Sequence, residues 1–151
     1  MKMVEKYAYK KLKRKVKKSG RHVYLPGLNE ILKVGVLWQP NCYEAYKYHR
    51  EYFSKTKIIF RHLCVHDDEP QQADSNSVTK KDLNWLGYPK SGITENFIET
   101  DFDLLFNVAL KQNLVLDYIT AMSQAKFKIG WSPDAENFFD LNINIRRNPE
   151  P

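Results

Sequence analysis

Apolar positions recur at helical spacing at the start of the chain: Val4, Ala8, Leu12 and Val16 form one stripe with Tyr9 beside it, and lysines fill the other faces. Ser19-Gly20 supplies a stop, because glycine takes the left-handed C-terminal conformation without a Cβ clash. Lysines in the last turn suit the negative end of the helix dipole. The spacing predicts a helix over 1–18, then a turn-rich connection over 21–30 around Pro26-Gly27. From Ile31 to Trp38 the pattern becomes a nearly unbroken apolar run, which predicts a strand buried on both faces of a parallel sheet.

Gln39-Pro40-Asn41 breaks that run. Asn41 is placed to cap a helix over Cys42 to Ser54, with Ala45, Tyr48, Tyr52 and Phe53 toward the core. Lys57 to Val65 reads as the second strand, closing in His66-Asp67-Asp68-Glu69-Pro70. Residues 71–77 are polar and predicted mobile. Thr79 to Leu86 reads as one or two helical turns stopped by Gly87, and Pro89 to Thr94 as loop. Phe102 to Leu110 is the third strand, followed by a helix from Leu114 to Gln124 capped by Asn113. Phe127 to Trp131 and Phe138 to Ile145 are the fourth and fifth strands, and Arg146 to Pro151 is a tail.

Strands alternating with helices predict an α/β, Rossmann-like three-layer domain with about five mostly parallel strands, plus a basic N-terminal helix. A length of 151 residues suits one ordinary domain. The expected division is a helical arm over 1–22 and a single α/β domain over 23–151. A hydrophobic fraction of 42% excludes disorder. No apolar run approaches the roughly 20 residues a membrane span needs. Cys42 and Cys64 lack metal or redox spacing, which suits a reducing compartment. Cytoplasm is the expected location by elimination.

Charge changes this picture more than composition does. Ten of the 24 cations lie in the first 22 residues, against one of the 18 acids, Glu5. The arm therefore carries +9 and the remainder −3. Such asymmetry points to a polyanionic partner.

Candidate chemistry is sparse. No G-x-G-x-x-G or G-x-x-x-x-G-K-[ST] exists, and Pro40 removes an N–H that a phosphate cradle after the first strand would use. No G-x-S-x-G elbow is present either. His62, Cys64 and His66 would share one strand face, with Asp67 or Asp68 as a fourth ligand. Ligands at i, i+2 and i+4 span about 13 Å, too far for one ion to collect all three easily, which leaves a two-ligand site completed from elsewhere or a helix-covered strand face as the readings. Carboxylates near strand ends are Asp67, Asp68, Asp101, Asp103 and Asp140, of which only Asp67 and Asp68 sit at a C-terminal end, where such sheets bind ligands.

Phe102-Asp103-Leu104-Leu105-Phe106-Asn107, followed by Tyr118-Ile119-Thr120-Ala121-Met122-Ser123-Gln124-Ala125-Lys126-Phe127-Lys128-Ile129-Gly130, carries two resemblances. With the basic N-terminal helix, the strand containing Gly35, Lys80-Lys81-Asp82-Leu83-Asn84-Trp85-Leu86-Gly87 and Phe139-Asp140-Leu141, the chain resembles an uncharacterised family of small bacterial α/β proteins typical of Bacteroidetes. That resemblance brings no activity with it; members of the family usually continue with a further C-terminal helix, whereas this chain stops at Pro151. Over about thirty residues the same segments are similar to the N-terminal half of lipopolysaccharide heptosyltransferases, through an F-D-L strand and an A-K-hydrophobic-x-hydrophobic-G strand. This second resemblance implies a Rossmann-like fold only, since fold does not carry function.

The functional expectation is a non-enzymatic binding or adaptor module. It would attach to RNA or a ribosome-like particle through Lys10, Lys11, Lys13, Arg14, Lys15, Lys17, Lys18 and Arg21, with no cofactor and no metal. Contact with a membrane surface is the weaker variant, because the apolar stripe holds no Trp, Phe or Leu cluster. The alternative is a sugar-nucleotide- or nucleotide-handling enzyme, or a degenerate glycosyltransferase-like domain, with a ligand pocket at Gln39, Asp67 and Asn107.

Overall fold

The computed structural model describes residues 2–72 and 74–143. Its elements are α1 (Met3–Ser19), β1 (Lys33–Trp38), α2 (Tyr43–Ser54), β2 (Ile59–Val65), β3 (Ser77–Val78), α3 (Gly92–Glu99), β4 (Leu104–Asn107), α4 (Leu114–Met122), β5 (Phe127–Gly130) and β6 (Leu141–Asn142). The strands form one sheet in the order β3-β2-β1-β4-β5-β6, and every pair is parallel. This is the strand order of doubly wound dinucleotide-binding sheets.

Strand alternation divides the core in two. Val34 and Leu104 meet Phe53 of α2 on one face, with Phe60, Phe106, Phe127 and Ile129 packed around them. Leu37, Leu63, Val65 and Leu105 meet Phe97 of α3 and Leu116 and Ile119 of α4 on the other. The central strand β1 is buried from Val34 to Leu37, as its unbroken apolar run requires.

The differences from the sequence expectation are local. Residues 71–77, expected to be mobile, end in the edge strand β3, because Cys64 and Val65 supply parallel partners for Ser77 and Val78. The expected helical turns over 79–86 contract to a 3-10 turn over Lys80–Asp82. The true crossover helix is α3, which begins inside the expected loop, where the Ser91 hydroxyl accepts the Thr94 N–H. Asn41 does not cap α2. A 3-10 turn over Pro40–Cys42 precedes that helix, and Gln39 and Cys42 satisfy each other reciprocally. Tyr48 and Tyr52 point outward, while Tyr46 takes the buried place. The expected third strand shortens to β4. The expected fifth strand pairs only at Leu141–Asn142, and its last residues and the expected tail lie outside the described residues. No helix among the described residues is long and apolar enough to cross a membrane.

α1 forms an extra layer on α4. Ala8 and Leu12 are fully buried, Ala8 within a cluster with Leu86 and Tyr88 that Leu114 and Tyr118 complete. The Tyr88 hydroxyl donates to the Ala8 carbonyl at 2.5 Å, and the Tyr9 hydroxyl to Asp117 Oδ2 at 2.5 Å. Gly20, at φ 57°, ends the helix in the left-handed conformation.

Candidate functional site

An open parallel sheet binds ligands where the strand order reverses, since the loops after the two central strands part there. The chain leaves β1 toward α2 on one face and β4 toward α4 on the other, which places that crevice between Gln39 and Asn107. Amide side chains fill it. Gln39 and Asn107 are each 3% exposed. Gln39 Nε2 donates to Asp67 Oδ2 at 3.2 Å, and Asn113 Nδ2 to Asp67 Oδ1 at 3.0 Å. Asn107 Nδ2 donates to Gln112 Oε1 and Thr120 Oγ1, and its Oδ1 accepts the Ala109 N–H. Gln39 and Asp67 thus meet directly. Asn107 joins a separate network that ties β4 to α4, and only Asp67 reaches open space.

That space is a cavity of about 550 Å³ between the N-terminal ends of α1 and α4 and the loop 80–87. Its floor holds Leu83, Leu86, Leu114 and Val115, and its rim His66, Asp67, Asn84, Trp85 and Asn113. Trp85 is 77% exposed. Nothing in the sequence pattern singles it out as a site residue beyond its place as a tryptophan in the polar turn Asn84-Trp85-Leu86-Gly87.

The His62, Cys64, His66 row separates by environment. His62 lies under α2, where its Nδ1 accepts Trp38 Nε1–H at 3.3 Å and its ring lies 4.8 Å from that of Tyr46. Burial, with the Arg50 cation nearby, pushes its pKa below the ordinary histidine value. Burial pushes the Cys64 thiol up to about 12. His66 lies past the strand end, on the cavity rim. Among the described residues no three His, Cys, Asp or Glu side chains cluster for an ion.

The acids at strand starts hold the fold. Asp103 Oδ2 accepts the N–H groups of Leu32 and Lys33, and its Oδ1 accepts Lys126 Nζ at 2.7 Å. Burial raises this carboxyl, but those donors outweigh it and hold it below the usual range. Asp101 pairs with Lys33 at 2.9 Å, and Asp140 with Arg21. Asp68 is exposed beside Asp67.

The cations of the arm sort into two groups. Arg21 is half-buried against Asp140, Lys13 pairs with Glu136, and Lys15 lies 5.4 Å from the centre of the Tyr88 ring. Lys11 is half-buried. Lys6, Lys10, Arg14, Lys17 and Lys18 are exposed, with no acidic partner among the described residues. At 1.5 Å rise per residue, Lys6, Lys10, Arg14 and Lys17 succeed one another every about 4.5 to 6 Å along α1. They form a ridge opposite Ala8 and Leu12, of which Lys6 and Lys10 also line the groove between α1 and residues 134–138, beside Asp117, Asp134 and Glu136.

The chain matches a family of unknown function, DUF6913, over residues 2–150. No curated protein and no solved structure matches it.

Proposed function

The chain belongs to the DUF6913 family of unknown function, and we propose that it is an α/β binding module that attaches to RNA through the outward ridge of α1. The observation that carries this reading is the docking of that helix. Tyr9 bonds Asp117 of α4, Ala8 packs against Leu86 and Tyr88, and Leu12 is fully buried, while Lys6, Lys10, Arg14, Lys17 and Lys18 are exposed. A cationic helix already fixed in place loses little backbone entropy on binding. Phosphates that meet it release counterions, which drives association without base reading. Lysines outnumber arginine in the ridge and act as point charges, so recognition there is electrostatic and sequence-independent.

The switch-point crevice favours this reading over a nucleotide-handling enzyme. Gln39 and Asn107 fill it, and each is spent on internal hydrogen bonds.

The test is binding of a labelled RNA oligonucleotide across a salt series. Five neutralised phosphates predict a slope of log affinity against log salt of about −3 to −4 for a single strand. Changing Lys6, Lys10, Arg14, Lys17 and Lys18 to Gln should abolish binding with the melting temperature nearly unchanged. Wild-type protein that ignores RNA at low salt, or a Gln variant that binds equally well, would overturn the proposal.

A further inference from the structure

We propose that the cavity beside Trp85 receives one unpaired nucleobase of the bound RNA, stacked on the indole, so that the protein selects single strands. This inference rests on the reading of α1 as the phosphate-binding element, and it adds a second, aromatic element to it.

The loop that carries Trp85 is closed by its own hydrogen bonds. Asn84 Oδ1 accepts the N–H groups of Leu86 and Tyr88, each at 3.0 Å, and Asn84 N donates to the Tyr88 carbonyl at 2.8 Å. Gly87 takes a φ of 92°, which a side chain would strain. Leu86 and Tyr88 are 5% and 3% exposed and anchor the loop in the core. Trp85 stands between these fixed points with its indole in solvent. A large aromatic ring held outward on an ordered turn is a preformed stacking surface, and each base has a π-face to offer it.

Charge decides which part of a nucleotide enters. Asp67 accepts only from the neutral amides of Gln39 and Asn113, and Glu5 of α1 lines the same cavity. These two carboxylates, Asp67 on the rim and Glu5 on α1, disfavour a phosphate there and accept hydrogen bonds from the N–H groups of a base edge. Lys2 and Lys80 stand at the cavity, where the phosphate flanking an inserted base would lie. Lys2 is also four residues before Lys6, so the cavity opens at the end of the α1 ridge. Bases inside a duplex are stacked and paired and cannot reach such a pocket, whereas unpaired bases can be splayed into it.

The experiment compares a single-stranded RNA oligonucleotide with a fully paired RNA duplex, using the wild type, Trp85→Ala and Trp85→Phe at fixed salt. Trp85→Ala should weaken single-strand binding about 5- to 100-fold. Trp85→Phe should restore most of the loss, and the salt slope should not change. Duplex binding, carried by the ridge alone, should be unaffected by either variant. Melting temperatures should match, since the ring is exposed. If Trp85→Ala binds single strands as the wild type does while the five-residue Gln variant fails, the pocket assignment falls and the role of α1 stands. If Trp85→Ala loses binding to duplex as strongly as to single strand, base stacking is refuted. If the Gln variant keeps its affinity, the role of α1 falls.

Discussion

Tyr9 and Asp117 lie 108 residues apart in sequence and meet in a hydrogen bond of 2.5 Å that fastens α1 to α4. Burial holds the Asp117 carboxyl up at about 6, against the opposing pull of the Tyr9 hydrogen bond, and Asp134 nearby adds to the rise. Burial also lifts the Tyr9 hydroxyl above its ordinary value. A carboxyl whose pKa is raised by folding binds its proton more tightly in the folded state. Its contribution is therefore full below about pH 4 and is lost as pH rises through about 6. Asp117→Asn keeps an acceptor for Tyr9 and removes the ionisation. At pH 7 the variant should be more stable by about 1–2 kcal/mol, allowing for partial exposure, which is a few degrees in Tm. The advantage should vanish near pH 4. A difference that is flat with pH, in melting curves from pH 4 to 7, would show that Asp117 ionises as it does in water.

Lys128 on β5 presents the reverse case. Its side chain is 2% exposed, and its Nζ donates to the Ala121 carbonyl at 3.1 Å, in the last turn of α4. Burial, reinforced by Arg21 and opposed by Asp140, lowers its pKa to about 7. The unfolded chain binds this proton up to about pH 10, so folding stability should rise with pH between 7 and 10. Lys128→Met keeps most of the stem and cannot titrate. In urea denaturation, the wild type should gain stability on the Met variant across that window. Parallel pH profiles for the two proteins would mean that the amine is hydrated and charged.

Gly35 sits where β1 passes under Phe102. A Cβ added there would lie 2.7 Å from the Phe102 ring, which is fully buried in the α3–α4 side of the core. Gly35→Ala should cost about 1–3 kcal/mol through overpacking. Adding Phe102→Leu should return part of that loss, because the two positions share one contact. Additive costs in the double variant, measured by chemical denaturation, would place the strain elsewhere.

The legible parts of this fold are those that carry their own periodicity. α1, β1, α2 and α4 declare themselves by apolar spacing, and Asn113 by its capping position. β3 is two residues long and exists only because Cys64–Val65 offer it partners, which no local pattern announces, whereas β6 falls inside the expected fifth strand and pairs only at Leu141–Asn142. α3 is eight residues long and begins Gly92-Ile93-Thr94, a weak helical opening that Ser91 makes viable. The site divides in the same way. The meeting of Gln39 with Asp67 follows from their places at the ends of adjacent strands. The seclusion of Asn107 depends on Gln112 and Thr120, and the display of Trp85 on the anchoring of its neighbours. Both are matters of tertiary packing that a linear pattern does not encode. The cations were visible as a cluster, but helix docking decided which of them face solvent.

Arg21, unlike Lys18, carries a charge that the fold itself uses. Its guanidinium donates to both carboxylate oxygens of Asp140 and, through Nε, to the Ala125 carbonyl at 3.1 Å. Asp140 in turn accepts the Lys128 N–H at 2.8 Å. Both side chains are largely buried, at 21% and 12% exposure. Removing the cation strands a carboxylate beside the sheet, and Arg21→Gln should cost about 2–3 kcal/mol, near the low end for broken buried pairs because some solvent reaches this one. Arg21→Lys should recover only part of this, since an ammonium cannot replace the two-pronged contact. Lys18, exposed three residues earlier, has no such partner, and Lys18→Gln should leave Tm within about a degree, as surface changes do. RNA affinity, measured well below both melting temperatures, should show the opposite order: Lys18→Gln weakens it and Arg21→Gln does not. An Arg21→Gln protein that melts normally but binds RNA poorly would move Arg21 from the fold to the interface.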